Sequence, residues 1–281
     1  MLLGYYAKKI LLNYPKALLT AFGFVWLIIE PTTTLLVKID LSYWQLWFLA
    51  GIVGIPYLIY DGIAVSGYFR KSVTIKSNMA DTTISIAFGD FFKTNGFKAV
   101  GVNDFFDSLV DNRHISQKSL HGLMLLTCWN DNILIWDEQV SKSLEGVEAK
   151  YENRLTGKNL RYPIGATAHT VANSENFLCT AISHTDIDTL ETRSTSIDIQ
   201  LAMRSLLAKA RSVCANETLN IPLIGSGLSR VGVKSNILLE LILLSIFEET
   251  KIKKITSKIQ IILPVDRVDE FNLLTIKNNW S

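Results

Sequence analysis

The chain has 281 residues, of which 48% are hydrophobic and only 19% are charged. This composition excludes an intrinsically disordered chain, which is poor in hydrophobic residues and rich in charge. Residues 1–71 hold six Lys or Arg and three acidic residues, whereas residues 72–281 hold 22 Lys or Arg and 23 acidic residues. The larger part therefore lacks the excess of bases that nucleic-acid binding requires, and no nucleic-acid partner is expected.

The first apolar segment predicts a membrane-spanning helix with two possible ends. Pro15 suits the start of a helix, and residues 17–29 are apolar or neutral before Glu30 interrupts them. One interpretation is a kinked span from about Pro15 to Val37, and the other is a shorter element that ends at Glu30. An ionised Glu at the bilayer centre costs about 2.5–3.5 kcal/mol. Glu30 is therefore expected near the interface, or against another helix in a pore or assembly.

The second apolar segment, Leu41–Tyr60, is twenty residues long and carries no charge. At about 1.5 Å per residue, a helix of this length covers the roughly 30 Å hydrocarbon layer of a bilayer. Trp44 and Trp47 stand near one end and Tyr57 and Tyr60 near the other, as an aromatic belt requires. A second span is therefore predicted, and its presence argues against a cleaved signal peptide at the first.

The basic residues around the two predicted spans indicate their orientation. Three precede the first span, one lies between the spans and three follow the second: Lys8, Lys9 and Lys16, then Lys38, then Arg70, Lys71 and Lys76. Positive residues are retained on the cytoplasmic side, so both termini and the following domain are predicted to be cytoplasmic. Three widely spaced cysteines, Cys128, Cys179 and Cys214, fit no disulfide framework and suit a reducing cytosol.

Residues 72–281 alternate predicted strands with predicted helices. The predicted strands are Thr82–Phe88, Ala99–Val102, Arg161–Val171, Phe177–Ile182, Leu219–Ile224 and Ile259–Leu263. The predicted helices are Ser119–Cys128, Ile133–Leu144, Ser196–Val213, Val233–Glu249 and Val265–Lys277. This alternation predicts an α/β domain in which helices flank a mixed sheet, preceded by a transmembrane helical hairpin.

A glycine-rich turn, Gly225–Arg230, follows one of the predicted strands and precedes a helix by a few residues. Glycines allow backbone N–H groups to turn inward and surround an anion, with support from the next helix N-terminus. The turn matches neither a Rossmann fingerprint, since Arg230 replaces the third glycine, nor a P-loop, since no Gly-Lys-Ser/Thr follows. A plain tight turn is the alternative interpretation.

Other polar and small residues also follow strands or begin a helix. Asp90 closes the first strand, where an Asp is often only a turn or cap residue, and Asn103 closes the second. Ser119, His121 and Gly122 stand at a predicted helix start, and Gly165 and Thr167 lie in a small-residue turn. The four histidines are too scattered for a metal motif, and Gly-Ser-Gly lacks the nucleophile elbow. Neither a metal site nor a catalytic residue is expected.

The order of these pieces resembles the macro domain, a family that binds ADP-ribose and related nucleotides. In that family a strand ends in Gly-Asp, and the Asp recognises the adenine amino group, which Gly89-Asp90 matches. An Asn ends a second strand, as Asn103 does here, and a Gly-x-Gly loop that resembles Gly225–Gly227 wraps the diphosphate side. The resemblance covers roughly residues 80–265.

The resemblance departs from the family in the first loop, where Asn112–Ser119 replaces a run of glycines. Hydrolases of the family often carry an acid in the final part of that loop, and Ser116–Ser119 has none. The resemblance therefore implies binding rather than hydrolysis. The candidate ligand-binding residues are Asp90, Asn103, Ser119, His121, Gly122, Gly165, Thr167, Gly225, Ser226, Gly227, Leu228, Ser229 and Arg230.

Two spans joined to a divergent macro domain resemble the membrane effectors of type II Thoeris anti-phage defence. The resemblance implies that residues 1–71 form the transmembrane region and residues 72–281 the cytosolic domain, in the inner membrane of a bacterium. It implies no resident cofactor, but an ADP-ribose-derived signal, histidine–ADP-ribose, made by a TIR-domain partner. It also implies a homo-oligomer that disrupts the lipid bilayer and aborts infection. A tethered ADP-ribosyl hydrolase and a non-catalytic membrane scaffold are the alternatives.

Overall fold

The computed structural model describes residues 2–35, 42–77, 81–227 and 231–281. The chain divides into two compact units, the first made of Met1–Val73 with Val265–Ser281 and the second of Thr74–Pro264. The proposed domain limits, residues 1–71 and 72–281, stay a prediction. The division into units nevertheless places the closing segment, residues 265–281, with the apolar helices.

The helices and strands are numbered in chain order. The α-helices are α1 Leu2–Leu35, α2 Tyr43–Tyr60, α3 Leu120–Cys128, α4 Ile133–Ser143, α5 Ser196–Val213, α6 Ser235–Ile252 and α7 Leu273–Trp280. The strands are β1 Ser72–Ser77, β2 Thr82–Phe88, β3 Phe97–Asn103, β4 Lys150–Tyr151, β5 Leu160–Arg161, β6 Thr167–Ala172, β7 Glu175–Thr185, β8 Thr192–Arg193, β9 Leu219–Pro222 and β10 Lys258–Leu263.

The first helix is longer than either sequence interpretation. α1 continues through Pro15 and Pro31, so the shorter element ending at Glu30 is wrong. Glu30 is exposed and lies near the carboxyl end of the helix. The prediction that the span reaches Val37 falls outside the described residues.

The second helix begins after Ser42, its N-cap residue. The Gln45 side chain accepts a hydrogen bond from the Ser42 backbone N–H at 2.9 Å, and Pro56 lies inside the helix without ending it. After Tyr60, residues Asp61–Val65 continue as one π-helical turn. The prediction of an apolar helix here is confirmed, while its first residue, Leu41, lies outside the described residues.

Small residues bring α1 and α2 close together. Ala17, Ala21 and Ala50 are buried, and a Cβ at Gly54 would lie 3.5 Å from the Leu18 Cα. Leu46 and Leu58 are also buried, but many large apolar side chains point outward, among them Leu19, Phe24, Leu27, Ile28, Trp47, Phe48, Ile52 and Ile55. Both Leu3–Thr32 and Tyr43–Val65 are long and apolar enough to span a membrane. Close backbones lined by small residues and an apolar exterior are typical of paired helices in lipid.

The second unit is built around an eight-stranded mixed sheet of order β1-β2-β10-β9-β3-β7-β6, with β8 paired to β7. Strands β2, β10, β9, β3 and β7 are parallel along this path, and β6 is antiparallel to β7. The mixed sheet and its alternation with helices are confirmed. The edge at which the parallel strands end is called the carboxyl edge below.

Apolar helix faces cover the sheet. The predicted apolar face of α5, formed by Ile199, Met203, Leu206, Leu207 and Ala210, is buried as expected. The predicted strand Arg161–Val171 is wrong in its first half, because a turn at Pro163–Gly165 separates β5 from β6. The closing helix begins later than predicted, since Val265–Glu270 forms 3₁₀ turns before α7.

Candidate functional site

The parallel register brings two of the predicted turns to the carboxyl edge. Strand β10 lies between β2 and β9, with Leu263 opposite Phe88 and Ile262 opposite Pro222. The segments that follow β2 and β9 therefore leave the sheet at the same level, two strand spacings apart. Asp90 belongs to the first of these segments and Gly225 to the second.

The turn after β9 has a defined backbone. The Ser226 backbone N–H and hydroxyl both donate to the Leu223 carbonyl oxygen, at 3.2 Å and 2.7 Å. Gly225 has φ +85°, and a Cβ there would lie 3.1 Å from the Ile199 Cδ1 on α5. By contrast, no described atom lies within 4 Å of a Cβ built on Gly227. Gly225 thus shapes the turn, and the described residues leave room beside Gly227.

The last three predicted residues of this turn, Leu228, Ser229 and Arg230, lie outside the described residues. Their assignment to the ligand site stays a prediction. Helix α6 begins shortly afterwards at Ser235, as the sequence pattern expected.

Asp90 combines a capping role with an exposed carboxylate. Its Oδ1 accepts a hydrogen bond from the Phe92 backbone N–H at 3.1 Å, which caps the short 3₁₀ segment Phe91–Lys93. The Lys93 Nζ lies 3.8 Å from the other oxygen, and about half of the Asp90 side chain is exposed. The turn-forming interpretation is therefore correct, and the carboxylate still faces solvent at the carboxyl edge.

Both ends of the Asn103 side-chain amide are hydrogen-bonded within the protein. Its Nδ2 donates to the Asp107 Oδ2 at 2.8 Å, and its Oδ1 accepts from the Asp107 backbone N–H at 3.0 Å. The side chain is buried. Both ends of the amide therefore hold the loop that follows β3, and its predicted contact with a ligand stays a prediction.

Asp107 in turn joins that loop to the segment around β4 and β5. Arg154 donates from Nη1 to both Asp107 carboxylate oxygens at 3.1 Å, and the Lys158 backbone N–H donates at 3.0 Å. The guanidinium lies 4.0 Å from the centre of the Phe105 ring, and both charged side chains are almost completely buried. A buried charge is tolerated only when such partners satisfy it.

The start of α3 is also explained by local contacts. The Ser119 hydroxyl caps the helix by accepting from the Gly122 backbone N–H at 3.0 Å, while a Cβ on Gly122 would overlap the Ser116 carbonyl oxygen. His121 is buried, and no described group bonds its Nε2. Its pKa is lowered to about 3, first by burial and then by the charge of Lys158, against the opposing effect of Asp107. His121 is therefore neutral at physiological pH.

Gly165 and Thr167 lie where β6 begins beside the end of β7. The Gly165 N–H donates to the Ala181 carbonyl at 2.9 Å. The Thr167 hydroxyl lies 2.9 Å from the Gly165 carbonyl oxygen and 3.0 Å from the Thr180 hydroxyl. These bonds join the two strands, so the contacts of both residues are accounted for by the sheet.

Comparison with known proteins decides the family. The model of the family described as Thoeris protein ThsA, Macro domain, matches residues 84–264. The chain belongs to this family. The ThsA macro domain therefore comprises the sheet and the helices that flank it. Membership of this family places the chain in Thoeris anti-phage defence.

A curated relative agrees with this assignment over most of the chain. The Thoeris protein ThsA of Bacillus amyloliquefaciens (strain Y2) is 25% identical in an alignment of 249 residues, which covers 83% of this chain and 79% of that protein. The match extends beyond the ThsA macro domain, and so includes part of the remaining chain.

Solved structures show the same fold at low identity. The macrodomain of Oceanobacillus iheyensis with ADP has a TM-score of 0.51 at 14% identity, covering 75% of this chain and 97% of that chain. A mutant of that macrodomain with ADPR has a TM-score of 0.52 at 15% identity, covering 74% and 97%. The expected macro fold is confirmed.

In this ThsA macro domain, side chains rather than glycines hold the first loop. The Asp111 Oδ2 lies 2.9 Å from the His114 Nδ1, and the His114 Nε2 lies 3.0 Å from the Thr156 hydroxyl. Partial burial acts to raise the pKa of Asp111, but hydrogen bonds from His114 and Arg113 lower it to about 2. Asp111 is therefore ionised and ties the loop together at neutral pH.

Sequence analysis missed two buried carboxylates in the loop after β3, Asp107 and Asp104. Asp104 directly follows Asn103, and its Oδ1 accepts from the Thr185 backbone N–H at 3.0 Å. Its Oδ2 lies 3.4 Å from both the Arg161 Nε and the His184 Nδ1. Burial raises the pKa of Asp104, and these three neighbours oppose that shift. An Asp immediately after a strand-ending Asn was a signal that could have identified it.

Within the described ranges, no group of three or more His, Cys, Asp or Glu residues is arranged to hold a metal ion. The site therefore offers hydrogen bonds, an exposed carboxylate and an open glycine turn. This chemistry suits the binding of a polar, phosphate-bearing molecule.

Replacing Arg154 by Ala should destabilise the protein by about 3–5 kcal/mol, because Asp107 would remain buried and charged without its partner. Arg193→Ala is the matched control, since Arg193 is largely exposed and pairs with Glu191 at 3.4 Å. An exposed pair contributes at most about 1 kcal/mol. Urea unfolding of the full-length chain in detergent measures both values. Equal losses in the two variants would contradict the structural role of the buried pair.

Proposed function

We propose that this protein is a membrane effector of Thoeris defence, switched on by a nucleotide signal. In this proposal the macro domain binds histidine–ADP-ribose, released by a TIR-domain partner, and the two apolar helices then disrupt the membrane and abort infection. The observation that carries it is the union, in one chain, of a ThsA macro domain at residues 84–264 and two helices able to span a bilayer.

The geometry of the carboxyl edge supports a nucleotide as the ligand. The exposed Asp90 carboxylate and the open space at Gly227 follow strands that flank β10. Two strand spacings amount to about 10 Å, which suits a ligand with a base at one end and a diphosphate at the other. Backbone N–H groups of a glycine turn suit the diphosphate, and a carboxylate suits the amino group of adenine.

Binding without turnover is the function that three acids in the loop after β3 favour. Asp107 is engaged by Arg154, Asp104 by the Thr185 N–H and Asp111 by His114. Each carboxylate is thus held by partners in the fold rather than presented to a water molecule. A tethered hydrolase is the competing function, and release of ADP-ribose from an ADP-ribosylated protein would identify it.

The distribution of bases supports a cytoplasmic position for the domain. Three bases, Lys8, Lys9 and Lys16, lie in the first half of α1 rather than before it, three follow α2, and one lies in the connecting segment. By the rule that positive residues stay on the cytoplasmic side, this arrangement favours cytoplasmic termini, and the cytoplasm is where a signal made by a soluble partner protein would be available. We also propose that the protein acts as a homo-oligomer in the inner membrane.

Ligand binding should depend on the open space at Gly227. ADP-ribose and histidine–ADP-ribose should stabilise the wild-type chain by about 2.7 kcal/mol at one hundred times the Kd. Gly227→Glu should abolish this stabilisation, because a bulky anion would fill the space intended for the diphosphate. Gly227→Ala is the control and should retain it, since no described atom lies within 4 Å of the new Cβ. Thermal unfolding with each nucleotide measures the effect, and binding by a folded Gly227→Glu chain would place the diphosphate elsewhere.

Asp90→Ala should weaken nucleotide binding about tenfold to a hundredfold, the usual effect of losing a hydrogen bond to a charged group. Asp90→Asn separates this effect from capping, because its amide oxygen still accepts from the Phe92 N–H but the charge is lost. Calorimetric titration of both variants gives the Kd values. Wild-type affinity in a folded Asp90→Ala chain would remove Asp90 from the site.

The full-length chain should depolarise cells only when a signal-producing TIR partner is present. A chain lacking residues 1–71 should bind the nucleotide but leave the membrane potential unchanged, because both candidate spans are missing. A potential-sensitive dye in cells carrying each chain, with and without the partner, measures this. Depolarisation by the truncated chain would contradict the proposal, and so would its absence with the full chain and signal.

A further inference from the structure

The C-terminal segment, residues 265–281, is built into the unit that contains the two apolar helices. Asn272 stands at its centre and makes bonds in two directions. Its Oδ1 accepts from the Leu274 and Thr275 backbone N–H groups at 3.1 Å and 3.2 Å, which caps α7. Its Nδ2 donates to the Ser66 carbonyl oxygen at 3.0 Å, just beyond α2. One side chain therefore both starts α7 and ties it to the end of α2.

The turn beyond α2 approaches α7 too closely for a side chain. Gly67 has φ +72°, and a Cβ built there would lie 2.5 Å from the Leu274 Cβ and 2.8 Å from the Asn272 Oδ1. The same turn is fixed from α2, because the Ser66 hydroxyl donates to the Asp61 Oδ2 at 2.7 Å. The C-terminal segment thus packs against a turn that is also hydrogen-bonded to the residue following α2.

The other apolar helix is held by the same segment. The Lys9 Nζ lies 3.5 Å from the Asp269 Oδ1, and α1 packs against the 3₁₀ segment Val265–Glu270. A partly exposed ion pair and a single hydrogen bond each contribute about 1 kcal/mol or less. These contacts are therefore specific but weak enough to be remade when the protein changes state.

The segment is also the direct continuation of β10. The strand ends at Leu263, and Pro264 alone separates it from the first residue of the segment. Strand β10 lies between β2 and β9, which lead to Asp90 and to the Gly225–Gly227 turn. Along the chain, only Pro264 therefore separates the central strand β10 from the segment that contacts both apolar helices.

We propose that the C-terminal segment is the coupling element of this protein, which passes the nucleotide-bound state of the sheet to the ends of α1 and α2. This inference rests on the proposed function and adds the route by which the signal acts. A ligand shifts such an equilibrium only through its different affinity for the two states. The segment supplies the contacts that differ between those states.

The test compares two glycines that share a left-handed backbone but differ in their surroundings. Gly67→Ala places a Cβ against Leu274, whereas Gly146 has φ +80° with no described atom within 4 Å, so Gly146→Ala is the control. Each full-length chain is reconstituted in dye-loaded vesicles of phosphatidylethanolamine and phosphatidylglycerol. Dye release is measured with and without histidine–ADP-ribose, together with thermal stabilisation by the same nucleotide.

A second pair of variants, which introduces no steric overlap, separates a loss of coupling from misfolding. Asn272→Ala removes the cap of α7 and the bond to Ser66, and Asn279→Ala on the exposed face of the same helix is its control. Hydrogen exchange of residues 265–281 is followed in the full-length chains. It should accelerate in Gly67→Ala and Asn272→Ala, and in neither control.

We expect the nucleotide Kd, obtained from the thermal stabilisation, to stay within about twofold of the wild-type value in all four variants. The ratio of dye release with nucleotide to release without it should fall at least about fivefold in Gly67→Ala and Asn272→Ala, the lower range of typical coupling. An unchanged ratio in chains whose segment exchanges faster would overturn the coupling role alone. Absence of binding or of dye release in the wild-type chain would instead overturn the proposed function, and the coupling role with it.

Discussion

The parallel alignment of five neighbouring strands is the constraint on which the rest of this protein depends. Because β2, β10, β9, β3 and β7 run in one direction, every segment that leaves them does so at a single edge of the sheet. Apolar helices on the sheet hold this alignment in place through faces such as that of α5. The edge can therefore carry polar turns and an exposed carboxylate without disturbing the core.

A buried polar network stabilises one side of that edge at a cost in desolvation. Asp107 and Arg154 are nearly inaccessible to water, and replacing such a pair with apolar residues would often be neutral or stabilising. The pair instead fixes the position of the loop, because Asn103 and the Lys158 backbone N–H also donate to the Asp107 carboxylate. The loop after β3 is thus fixed by side chains where glycines would leave it free to adapt.

The apolar helices follow a different physical rule from the sheet. For helices in lipid, no hydrophobic force drives pairing, and close packing of small residues supplies it; this pair has such small buried residues at Ala21, Ala50 and Gly54. Large apolar side chains are left on the outside, where water would disfavour them and a bilayer would not. The C-terminal segment joins this unit through polar and charged contacts of Lys9 and Asn272.

The sequence by itself determined the features that depend on local periodicity and composition. The apolar lengths of the two helices, the buried face of α5 and the strand-to-turn order that resembles a macro domain could all be predicted from neighbouring residues. Only the tertiary structure decided which polar side chains were already occupied, because Asp107, Thr167 and Asp104 find their partners on strands and loops elsewhere in the chain. It also decided that residues 265–281 join the apolar helices, because the Gly67–Leu274 approach and the Asn272–Ser66 bond connect segments about two hundred residues apart.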